Sequence, residues 1–223
     1  MFGLVQGLFS QMFKTPEYYI LILGLENSGK TTLLEKIKNI YNKEEETPHN
    51  LIFPTVGLNI GRIQIGGNKF IFWDLGGEKG LRNIWKSYYS STNAIIFVID
   101  SSTQNIMKST ENENENKNKN KNMNIQNEKN VQNQLKEIRE IFAQLMEEKD
   151  LDDIPFLVLA NKQDLGNCLS PNEIEECLFD LLPIGGTFKF VAISSYTGQG
   201  MKEGIDWLIE YLVLHSLPNK KID

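Results

Sequence analysis

Eight consecutive residues, GLENSGKT at Gly24 to Thr31, carry the G-x-x-x-x-G-K-[ST] spacing of a phosphate-binding loop. Gly24 and Gly29 let the backbone wrap an anion, the amides of Asn27 to Thr31 aim at its oxygens, and the N-terminal end of the following helix adds its positive dipole. Lys30 would neutralise β and γ oxygens, and Thr31 would give its hydroxyl to Mg²⁺. Leu25, Glu26, Ser28 and Thr32 complete the run expected around the phosphates. A second constellation, NKQD at Asn161 to Asp164, could name the base. The Asp164 carboxylate can accept from both N1–H and the exocyclic amine of guanine, and adenine offers neither donor there. Lys162 can lay its stem over the base, and Asn161 can tie the segment to the phosphate loop. A third stretch, DLGGEKG at Asp74 to Gly80, decides whether the chain cuts a phosphate bond or only holds one. That question turns on Glu78.

These residues need a scaffold that brings distant loops together. Apolar runs rich in β-branched residues alternate with segments of helical period, which predicts parallel strands joined by crossover helices. Strands are expected at Tyr18 to Leu23, Leu58 to Ile65, Lys69 to Asp74, Ala94 to Asp100, Phe156 to Asn161 and Phe188 to Ser194. Helices are expected at Lys30 to Ile40, Gly80 to Tyr89, Val131 to Glu148, Pro171 to Leu182 and Met201 to His215. The second and third strands have no helix between them, and Gly66-Gly67 is a hairpin signal, so that pair should be antiparallel. The fold class is therefore α/β, a six-stranded mostly parallel sheet flanked by helices. Ligands of such sheets bind beyond the carboxyl ends of the strands.

Bulk properties narrow the function. A chain of 223 residues with 40% hydrophobic content can bury one sizeable core. A net charge of −6, a pI near 5.1 and the lack of any Lys/Arg cluster argue against nucleic acid and against electrostatic docking on anionic lipid. Cys168 and Cys177 read as reduced cytosolic thiols. No apolar run approaches the roughly 18 residues needed to span a bilayer, so membrane contact is expected to be peripheral. Ser109 to Asn130 is low in complexity and nearly free of apolar residues. It reads as a disordered surface insertion, about residues 103–130, that cannot bury enough surface to order itself.

With these motifs in this order, the sequence resembles the Ras-like small GTPases, and within them the ADP-ribosylation factor (Arf) branch. The resemblance covers nearly the whole chain outside Ser109 to Asn130. PTVGLNIG at Pro54 to Gly61 is similar to the first switch, WDLGG at Trp73 to Gly77 to the second, and SSY at Ser194 to Tyr196 to the last guanine loop. The resemblance implies a P-loop fold and GTP/GDP with Mg²⁺ as cofactors. It implies that Thr55 binds Mg²⁺ and the γ-phosphate, that Asp74 holds Mg²⁺ through water and that the Gly77 amide senses the γ-phosphate. It also implies that Ser195 offers its backbone amide to guanine O6 beside Tyr196. Trp73 in WDLGG is typical of Arf-like members. Partners implied are an exchange factor, a GTPase-activating protein and effectors at an exposed apolar triad of Leu58, Trp73 and Tyr88. GLVQGLFSQMFKTPEYYILILGLENSGKTT and VGLNIG look most like Golgi-associated Arf-like members, which implies the trans-Golgi membrane, vesicle trafficking and a monomer. The GTPase domain would span 17–218.

Two departures matter. Phe2 stands where Arf proteins carry glycine, which excludes N-myristoylation. Met1, Leu4, Val5, Leu8, Phe9, Met12 and Phe13 nevertheless recur at helical spacing, so residues 1–16 are expected to form an amphipathic helix. That helix would pack on the body with GDP and meet membrane with GTP, with N-terminal acetylation implied in place of a lipid. The second departure is Glu78, where the family usually carries glutamine. A carboxylate can accept from the attacking water but cannot donate to γ-phosphate oxygens, and its charge faces a strongly negative nucleotide. Slow hydrolysis is expected. A pseudo-GTPase that binds GTP with little turnover and a phosphotransfer enzyme built on the same loop remain the alternatives.

Overall fold

The computed structural model describes residues 15–102 and 117–215; the expected N-terminal helix lies outside them. Six strands form one sheet: β1 (Glu17–Leu23), β2 (Leu58–Ile65), β3 (Asn68–Leu75), β4 (Ala94–Asp100), β5 (Phe156–Asn161) and β6 (Phe188–Ala192), in the order β2-β3-β1-β4-β5-β6. The β2–β3 pair is antiparallel and every other pairing is parallel. The hairpin turns through Gly66-Gly67, with Ile65 paired to Asn68.

Strand periodicity explains the layers. Ile20 and Ile22 of β1 face one side, while Leu21 and Leu23 face the other. On the first side α1 (Lys30–Asn42) and α5 (Met201–Leu214) bury Leu33, Leu34 and Ile37, and Ile205, Leu208 and Leu212. On the second, α2 (Lys86–Tyr89), α3 (Lys117–Met146) and α4 (Pro171–Leu178) bury Trp85, Tyr89, Ile138, Phe142, Leu145 and Ile174. A sheet buried on both faces explains why β4 and β5 read as continuous apolar runs rather than alternating ones.

Four elements differ from the sequence expectation. The helix expected at Gly80 to Tyr89 is broken into a 3₁₀ turn, Arg82–Ile84, and the short α2. Side chains of this segment bond back to the Gly76-Gly77 backbone, and those ties override helical propagation. The helix from Pro171 ends as α at Leu178 and finishes in a 3₁₀ turn, Phe179–Leu181, while β6 ends at Ala192, two residues early. Finally, α3 begins at Lys117, inside the low-complexity segment expected to lack order. The apolar face at Ile138, Ile141, Phe142 and Leu145 anchors that helix. Once it is nucleated, Lys, Glu, Gln and Met propagate it at little cost per residue.

Candidate functional site

Because five neighbouring strands run parallel, the loops after β1, β3, β4, β5 and β6 emerge on one edge of the sheet. The loop after β1 holds the phosphate motif. Gly29 caps α1 at φ 96°, and a Cβ there would lie 2.3 Å from Asn161 Nδ2; only glycine allows that approach. Asn161 is the joint of the site. Its Nδ2 donates to Ser28 O at 2.7 Å, and its Oδ1 accepts from the Ser195 amide at 2.9 Å. One buried side chain thus ties the loops after β1, β5 and β6.

The base-reading residues are held by neighbours. Ser194 Oγ donates to Asp164 Oδ1 at 2.5 Å, and Lys162 Nζ donates to Asp100 Oδ2 at 2.7 Å. Asp100 in turn faces Asn161 across the β4–β5 register and accepts from Ser102 Oγ. Tyr196 is exposed. The Ser195 N–H, which the family resemblance gives to guanine O6, donates to Asn161 Oδ1 at 2.9 Å.

The phosphate end is different. Lys30 is 6% exposed, and among the described residues it has no ion-pair partner; its Nζ donates to the carbonyls of Gly24 (3.1 Å) and Leu25 (2.7 Å). Burial pulls its pKa down from 10.5 to about 8, with Asp74 partly opposing and Arg82 adding to the drop. Among the described residues no acceptor takes the amides of Gly29, Lys30, Thr31 or Gly77. Gly77 sits against the loop so closely that a Cβ would lie 2.5 Å from both Lys30 Nζ and Gly24 O, and 2.6 Å from Glu26 N. Donors without acceptors, around a buried ammonium, are what an anion satisfies. Leu25, Glu26 and Asn27 line the outer lip, and Thr32 lies half-buried in α1.

Beside Lys30, three oxygens crowd together. Thr31 Oγ1 lies 2.7 Å from Thr55 Oγ1 and 2.7 Å from Asp74 Oδ2, and Thr55 Oγ1 lies 3.0 Å from the same Oδ2. Two hydroxyl protons cannot fill three short contacts around an ionised carboxylate. Asp74 Oδ1 is buried with no hydrogen-bond partner, and burial raises the Asp74 pKa against the lowering effect of the Thr31 hydroxyl. A small hard cation with oxygen ligands fits this set. Among the described residues no group of three or more His, Cys, Asp or Glu could hold a metal; two hydroxyls and one carboxylate match a cation that shares its shell with phosphate.

Glu78 is exposed and lies on the rim of a cleft of about 610 Å³, between Glu26 and Asn27 on one side and Arg82, Gln134 and Glu137 on the other. Arg82 and Trp85 were not legible as site residues. Arg82 Nε donates to Gly77 O (2.9 Å) and its Nη1 to Glu137 (2.9 Å), while Trp85 Nε1 donates to Gly76 O (3.0 Å). The one sequence signal for such a role was an indole N–H on a core helix face, which needs an acceptor when buried. Of the expected apolar triad, Leu58 is exposed, whereas Trp73 and Tyr88 are half-buried in edge-to-face contact at 5.2 Å. Both cysteines are free thiols.

Comparison with known proteins agrees with this geometry. The model of the ADP-ribosylation factor family matches residues 5–127 and 125–212. ADP-ribosylation factor-related protein 1 of Rattus norvegicus is 36% identical over 226 residues, covering 99% of this chain and 98% of the relative. ADP-ribosylation factor-like protein 3 of Saccharomyces cerevisiae is 32% identical over 212 residues, covering 94% and 92%. Among solved structures, the Arl6 BBS3 small GTPase from Trypanosoma brucei, with the nucleotide analogue GppNp bound, superposes with TM-score 0.64 at 27% identity. That match covers 89% of this chain and 98% of that one.

Proposed function

The chain belongs to the ADP-ribosylation factor family of small GTPases, GTP-binding proteins that hydrolyse GTP, and we propose that it is a Mg²⁺-dependent switch acting on Golgi membranes in vesicle trafficking. The observation that carries the nucleotide part is the buried Lys30, with no ion-pair partner among the described residues and with unaccepted amides around it. Lys30 and the amides of residues 27–31 hold the phosphates. Thr31, Thr55 and Asp74 would hold Mg²⁺, which would neutralise charge on the phosphate oxygens. The Gly77 amide senses the γ-phosphate, Asp164 reads guanine, and Lys162 and Tyr196 flank the base.

Glu78 sets the rate. It can accept a hydrogen bond from the attacking water but offers no donor to oxygens that gain charge in the transition state, so hydrolysis is slow without an activating protein. Exchange factor, activating protein and effectors read the surface around Leu58, Trp73 and Tyr88. Residues 1–13 make the peripheral membrane contact. Asp164→Asn tests the base assignment: exchanging acceptor for donor should move preference from GTP to XTP in competition binding. Unchanged guanine preference would contradict the assignment.

A further inference from the structure

Two peptide units carry the reactive part of the second switch: Gly76–Gly77, which presents the Gly77 N–H, and Gly77–Glu78, which leads into the Glu78 side chain. Both units hinge on glycine, which adopts either sign of φ at little cost, so neither plane is fixed by its own residues. The fixing groups come from the turn that follows. Trp85, 3% exposed and packed among Leu21, Leu23, Leu75 and Phe97, donates its indole N–H to Gly76 O at 3.0 Å. Arg82 Nε donates to Gly77 O at 2.9 Å. In a planar trans peptide the C=O and the following N–H point in opposite directions. A Gly76 carbonyl held toward Trp85 therefore turns the Gly77 N–H away from it, at a residue that touches Lys30, Gly24 and Glu26.

We propose that Trp85 is a positioning residue for γ-phosphate recognition: its indole N–H locks the Gly76–Gly77 plane so that the Gly77 amide is presented to the phosphate site. The break in the helix expected at Gly80 to Tyr89 has a purpose in this light. A continuous helix from Gly80 would carry Trp85 past Gly76, whereas the 3₁₀ turn Arg82–Ile84, closed by Trp85 N on Arg82 O at 3.0 Å, holds the indole under the glycine pair. The Gly76 N–H, in the preceding peptide unit, is bonded to Gly57 O at 3.1 Å, so the same glycine is tied on its other side to the first switch. GDP lacks the phosphate that this amide meets, so the indole should matter for GTP and hardly for GDP.

The inference rests on the reading of Gly77 as γ-phosphate sensor, and the test separates the two. Affinities for Mg²⁺·GppNHp and Mg²⁺·GDP are measured on the full chain and on Trp85→Phe, together with amide hydrogen exchange over residues 76–80. The account expects the natural chain to protect residues 76–80 with GppNHp more than with GDP. In the variant that protection is lost and GppNHp affinity falls about tenfold relative to GDP, the scale of one hydrogen bond to a charged group. Equal protection by the two nucleotides in the natural chain would overturn the sensor reading itself. Retained protection and an unchanged affinity ratio in the variant would overturn the role of Trp85 alone. If the ring deletion weakens both nucleotides, 3-benzothienylalanine at position 85 decides, since it keeps the shape and lacks the N–H; an unchanged ratio there overturns the proposal.

Discussion

At the base-reading end, Asn161 pairs with Ser195, Asp164 with Ser194 and Lys162 with Asp100 through bonds of 2.5 to 2.9 Å, and among the described residues Ser195 Oγ is the one buried atom there without a partner. At the phosphate end, across Ser28 and Gly29 in the chain, Lys30 has no ion-pair partner among the described residues, Asp74 Oδ1 is buried without a hydrogen bond, and three oxygens share two protons. The two ends lie in the same edge of the same sheet, so the contrast is not one of fold. It is one of completion: apart from Ser195 Oγ the protein closes the first network by itself, and it leaves the second to be closed by phosphate and cation. Buried polar groups without partners cost free energy, so nucleotide phosphates should contribute to the stability of this chain as well as occupy it.

The largest expected effect breaks the phosphate end. Lys30→Met should lower GTP and GDP affinity by about 10²-fold or more, because one member of a buried charge pair is removed. The natural chain should show the same dependence through pH. The Lys30 pKa is depressed to about 8 without nucleotide, so the fold carries a cost of about 3 kcal/mol that is fully present below pH 8 and relieved as pH rises toward 10.5. Only the ammonium attracts phosphate. GDP affinity should therefore fall about tenfold per pH unit above 8, and the Lys30→Met variant should lose that slope; a slope equal in both would exclude Lys30 as the titrating group.

A smaller effect sharpens the comparison at its rim, where Glu78 lines the cleft but belongs to neither network. Glu78→Gln keeps size, removes charge and restores a donor. Single-turnover phosphate release from GTP-loaded protein should be about tenfold faster, or respond more strongly to an activating protein. A Gln variant slower in both assays would show that Glu78 acts as a productive base.

Legibility in the sequence followed the same division. The strands and the phosphate loop could be read directly, because Gly24, Gly29, Lys30 and Thr31 act within one local turn and β-branched runs have one use in a doubly covered sheet. Asn161 as a tie to the phosphate loop followed from its motif. What escaped were ties across sequence distance. Trp85 reaches Gly76 and Arg82 reaches Gly77 only because the expected helix breaks, and no periodicity announces that break. The Ser195 amide donates to Asn161, 34 residues away. The helix from Lys117 escaped for the opposite reason: composition argued for disorder, while propagation from a packed face at Ile138 to Leu145 extends the helix into it.

The central claim, that phosphate and cation complete what the protein leaves open, is tested most directly by thermal unfolding of the nucleotide-free chain with Mg²⁺ and equal concentrations of guanosine or GDP. The account predicts that GDP raises Tm by at least several degrees, while guanosine, which fills only the end already closed, changes it little. Equal stabilisation by guanosine and GDP would contradict it.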